Sequence, residues 1–107
     1  MMTKIKAIMR KLVLAEYTLA AEQYGAQHNT PHEAYAVMKE EYDEAYHEML
    51  FLDEALNQEF WRGVMYDSDL ACQVKAREIY EHAVRGACEL VQVAAMAHKT
   101  LQGYKKG

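Results

Sequence analysis

The groups able to do chemistry in this 107-residue chain are mainly carboxylates, and they are clustered. The run EEYDE sets Glu40, Glu41, Asp43 and Glu44 side by side, and Glu48 follows one helical turn later. Between Glu40 and Glu59 there is no Lys or Arg. A helix that only sheds acids into water usually interleaves them with Lys at i+4, and like charges at that spacing cost a few tenths of a kcal/mol per pair. A hard divalent cation, which takes oxygen ligands, would offset that repulsion. A second acidic element is ELVQ, with Glu89 and Gln92 three apart inside the small, apolar segment GACELVQVAAMAHK. A carboxylate enclosed there needs a partner.

Helices must position these groups. At about 100° per residue, Ala34, Met38, Ala45, Met49, Leu52 and Leu56 form one apolar stripe. Glu33, Glu40, Glu41, Glu44 and Glu48 border it, and Glu41 and Glu44 can address one point. Thr30, Pro31 and Glu33 provide an N-cap, a favoured first-turn proline and a T-x-x-E capping box. This predicts a helix from Pro31 to about Glu59 or Trp61. Ile5, Ile8, Leu12, Ala15, Leu19 and Glu22 keep helical spacing up to Gly25 and predict an earlier helix over 5–24. After a looser stretch at Arg62-Gly63, Asp67 or Ser68 caps a third helix running to about Leu101, with Gly86 as a close contact or a break. A flexible tail is expected over 103–107.

No strand alternation, repeat or linker interrupts this pattern. The expectation is one all-α domain, an antiparallel bundle of three to four helices spanning 1–107. So short a chain leaves apolar surface for a homo-oligomer, a dimer or tetramer, to cover. The net charge of −4 argues against sequence-independent nucleic-acid binding. No apolar run reaches membrane-span length and no signal-peptide pattern stands at the N-terminus, so the expected location is cytoplasmic. Cys72 and Cys88, sixteen residues apart on one helix, are too distant to pair within the chain and read as reduced thiols.

The acidic words carry a resemblance. EEYDE (40–44) is similar to the E-E-x-x-E signature of the MazG-like all-α nucleotide pyrophosphohydrolases, and ELVQ (89–92) stands where that family has E-x-x-D. NTPHEAYAVMKEEYDEA (29–45) and ELVQVAAMA (89–97) look closer still to short phage-encoded members. The likeness covers about a quarter of the chain and is absent from about Phe51 to Ala76. It implies a helical dimer or tetramer that holds Mg²⁺, or Mn²⁺ in its place, between two acidic helices. Its implied activity is hydrolysis of a (d)NTP to (d)NMP and pyrophosphate, in the host cytoplasm for a phage-encoded protein. Carried over, Glu41, Glu44 and Glu89 are metal ligands, and Glu40 is a ligand or the holder of the attacking water. The departure is Gln92 in place of Asp, an amide that can coordinate but adds no charge; Glu48 could supply the missing carboxylate.

For such a substrate, Glu40 or Glu44 would accept the proton of the water. Arg85 and Lys99 are candidates for phosphate contacts. Tyr17, Tyr24, His28, Asn29 and His32 are candidates for the base. Two other readings compete. A nucleotide-binding or interaction module would use the same residues without turnover. A ferritin-like di-iron carboxylate protein would use Glu44-x-x-His47, repeated by symmetry and completed by Glu89 or Glu22.

Overall fold

A computed structural model of the chain describes residues 1–105. The described residues are overwhelmingly helical and contain no strand, so the protein is all-α. The elements are α1 (Met2–Tyr24), α2 (Pro31–Glu54), a π-helical segment (Ala55–Phe60), α3 (Trp61–Met65) and α4 (Asp69–Leu101). None of these helices is long and apolar enough to cross a membrane.

Local chemistry sets the boundaries. Gly25 ends α1 with φ 95°, a left-handed value that glycine adopts without penalty, and its N–H donates to the Ala21 carbonyl. The Thr30 hydroxyl accepts from the Glu33 N–H at 3.1 Å and caps α2. The second half of the expected capping box does not form, because the Glu33 carboxylate accepts from the Asn29 side chain at 2.9 Å instead. Ser68 caps α4 by accepting from the Ala71 N–H at 3.2 Å. Helix α4 is continuous through Gly86, which is buried. A methyl group on Gly86 would lie 3.6 Å from the Glu48 Cβ, so the glycine marks a close contact and not a break.

The helical path that begins with α2 runs further than expected, through the π-helical segment and α3 to Met65. Its packed face is also turned toward the acids. Ala34, Ala45 and Ala55 are buried and Glu41 and Glu48 are half-buried, whereas Met49 and Leu56, expected on the apolar stripe, are exposed. Partnered carboxylates can occupy a packed face, so hydrophobicity alone misplaces it here.

The chain divides into two compact units. The first comprises Met1–Tyr42 with the segment from Glu89 onward; the second comprises Asp43–Cys88. In the first, Val91, Ala95 and Met96 of α4 are buried with Ala34 of α2. Tyr17 meets His98 edge-on at 4.6 Å and donates its hydroxyl hydrogen bond to the Ala26 carbonyl. Residues 103–105, part of the expected tail, lie beside the α1–α2 loop, where the Lys105 N–H donates to the His28 carbonyl at 2.9 Å. Residues 106 and 107 lie outside the described residues. In the second unit, Ala45, Ala55 and Gly63 are buried, and Lys75 pairs with Glu59 and Glu78, both at 3.2 Å.

Candidate metal centre

Glu41 of α2 and Glu89 of α4 are half-buried side chains of the first unit. Glu44, exposed, follows Glu41 by one turn of the same uninterrupted helix. One carboxylate oxygen from each of the three lies within 4.8 Å of the others. Oxygens around Mg²⁺ sit at about 2.1 Å, which places them roughly 3–4.2 Å from one another. Small rotamer adjustments would therefore bring these three onto one hard cation. Three carboxylates at such separations repel each other, more so where helices exclude water, and a divalent charge would remove that cost.

The other two expected ligands are engaged elsewhere. The Glu48 carboxylate accepts a hydrogen bond from His82 Nδ1 at 2.8 Å, and both side chains are largely buried. Phe51 stacks on the same imidazole, with ring centroids 5.2 Å apart and planes inclined by 16°. Gln92 donates from its amide nitrogen to the Glu16 carboxylate of α1 at 2.8 Å. The gathered set is thus Glu41, Glu44 and Glu89, with Glu40 exposed immediately before it on α2.

His82 is the neighbour of the site that sequence reasoning passed over. The signal was present. Glu41 and Glu48 are seven apart on one helix, and His82 and Glu89 are seven apart on the other, so each pair occupies one face. Sequence reasoning weighed E-x-x-H spacing within one helix, at Glu44-x-x-His47, whereas this partnership forms between helices.

The candidate substrate contacts are dispersed in character. Arg85 is exposed on α4, four residues before Glu89. Lys99 is 5 % exposed, so it is not the surface cation that a lysine near a helix end normally is. His28 is 1 % exposed, and its Nε2 donates to the Met96 carbonyl at 3.3 Å, which leaves its ring no open face for a base. Its Nδ1 stands 3.9 Å from a Glu33 oxygen and makes no hydrogen bond. Asn29 is held by Glu33, while Tyr24 and His32 are exposed. Tyr17 is committed to Ala26 and His98.

His47 does not extend the acid cluster into a di-iron pattern. It is exposed, and its Nδ1 donates back to the Asp43 carbonyl of its own helix at 3.0 Å. Cys72 and Cys88 are both free thiols. Comparison of the chain with protein-family models, with curated proteins and with solved structures gave no match.

Proposed function

We propose that the protein is a MazG-like, Mg²⁺-dependent nucleoside triphosphate pyrophosphohydrolase that converts a (d)NTP to (d)NMP and pyrophosphate. The observation that carries this reading is the meeting of Glu41, Glu44 and Glu89 oxygens within 4.8 Å, from the two segments whose motifs suggested it. When bound, Mg²⁺ supplies charge neutralisation for the phosphates and lowers the pKa of a coordinated water. Glu41, Glu44 and Glu89 would hold the ion. Glu40, exposed and adjacent, orients the attacking water and accepts its proton, a role Glu44 can share. The water oxygen bonds to the α-phosphorus, the bond from that phosphorus to the bridging oxygen breaks, and pyrophosphate leaves with the electron pair. Arg85 is the residue best exposed to meet a departing phosphate.

Assembly is part of the same proposal. Helix α1 has no buried residue, although Ile5, Ile8, Leu12 and Leu19 recur along it at spacings of three, four and seven. A second copy that covers this stripe would supply the core that one chain lacks.

Replacing Glu41 with Gln is expected to lower magnesium-dependent release of pyrophosphate from (d)NTPs by at least about 100-fold while far-UV circular dichroism stays helical, a loss comparable to removing one key electrostatic group. Turnover that survives this change rules out the site. The engagement of Gln92 by Glu16 favours one second reading, a nucleotide-binding module without catalysis. Saturable nucleotide binding with no pyrophosphate release across all (d)NTPs would establish it.

A further inference from the structure

Helix α4 carries a second exposed stripe that the metal centre does not use. Leu70, Val74, Arg77, Glu81, Val84 and Cys88 are all exposed and recur at spacings of four, three, four, three and four. That is the spacing of a coiled-coil seam. It lies about 120–180° around α4 from Ile79, His82 and Gly86, the face packed within the second unit. Continued past Cys88, the same register reads Val91, Ala95 and His98. There Val91 and Ala95 are buried and His98 packs against Tyr17 of α1. The stripe is therefore covered along its C-terminal part and bare over 70–88. A groove of about 590 Å³ flanks the bare part on the side toward His82, lined by Leu70, Val74, Arg77, Glu81, His82 and Arg85.

The order of residues specifies what fits. The stripe is symmetric about residue 79. An antiparallel copy of α4 laid on it sets Leu70 opposite Cys88, Val74 opposite Val84, and Arg77 opposite Glu81, each pair occurring twice. A parallel copy in register would set Arg77 against Arg77 and Glu81 against Glu81, which like-charge repulsion disfavours. Among the described residues, neither Arg77 nor Glu81 makes an ion pair or a hydrogen bond within its own chain. We propose that residues 70–88 of α4 form a two-fold seam with the same segment of a second copy, antiparallel and centred near residue 79, with two Arg77–Glu81 ion pairs crossing it. This seam is separate from the α1 stripe and does not depend on the metal. Two distinct two-fold contacts on one chain would make a tetramer.

Sedimentation of the full chain tests the charges. Arg77→Glu is expected to weaken this association more than 10-fold, and the exchange R77E/E81R to restore it. Helicity should be unchanged, because the exchange keeps an acid and a base four apart on the helix. A thiol introduced by L70C in a C72A background tests the register. Positions 70 and 88 of one helix are about 27 Å apart, so a disulfide between them must join two chains. Peptide mapping of the oxidised protein should find the 70–88 link. An assembly unaffected by R77E, a failure of R77E/E81R to restore it, or a link joining 88 to 88 would overturn the proposal.

Discussion

Two levels of the same helices solve the problem of enclosed acids differently. At one, Glu41 is gathered with Glu44 and Glu89, and all three groups are carboxylates. Seven residues along each helix, Glu48 instead meets an imidazole, His82, at 2.8 Å, and Phe51 stacks on that ring. The spacing repeats but the chemistry does not. At the second level the carboxylate is met by a hydrogen-bond donor from the protein itself. The first brings three carboxylate oxygens within 4.8 Å of one another. One level therefore reads as a fastener, and the other is where the proposed cation would bind.

The comparison breaks most decisively on turnover. Glu89→Gln is expected to reduce pyrophosphate release by at least about 100-fold, whereas Glu48→Gln should leave most of it, since Glu48 stands outside the gathered set. Equal losses in the two variants, in a steady-state pyrophosphate assay, would merge the two levels into one site. Next in size is the effect of the ion on stability. Magnesium at a hundred times its dissociation constant should stabilise the wild type by about 2.7 kcal/mol, and thermal melts should show this shift vanish in Glu89→Gln but persist in His82→Ala. His82→Ala itself should cost about 1–3 kcal/mol, because it strips a largely buried carboxylate of its donor. Denaturant titration of H82A, E48A and the double variant should show the double to be less than additive.

The smallest effect concerns the partly exposed ion pairs of Lys75 in the second unit. Hydrogen bonds from Lys75 to Glu59, then to Glu78, raise the lysine pKa above its ordinary 10.5. A group with a raised folded pKa contributes its full stabilisation below the unfolded value and loses it as pH rises through the folded one. Melts from pH 9 to 12 should therefore show a loss beginning above about 10.5 that is absent in Lys75→Met and diminished by salt.

Much of the fold could be read from punctuation. Gly25, Thr30-Pro31 and Ser68 mark element ends by local hydrogen bonding, and each acts where the chain predicts. The gathering of Glu41, Glu44 and Glu89 was legible too, since acids three apart on one helix and an acid within an apolar segment both signal convergence. The Glu48–His82 partnership was not, because it spans 34 positions and depends on how two helices face each other. The burial of His28 and Lys99 was hidden for the same reason, their surroundings being supplied by distant parts of the chain. The π-helical segment left no sign either, as ALNQEF differs from an ordinary helix neither in composition nor in periodicity.

That segment has a consequence for how the chain tolerates changes in length. A π turn closes its backbone hydrogen bonds over one residue more than an α turn does, and it is confined to a single stretch. Deleting one residue from Ala55–Phe60 would let the path relax to ordinary α geometry while the helices on either side keep their phase. The same deletion elsewhere in α2 would rotate everything after it by about 100° and carry Glu48 away from His82. A single-residue deletion scan should therefore find its permissive window here, in the middle of what reads as one unbroken helix.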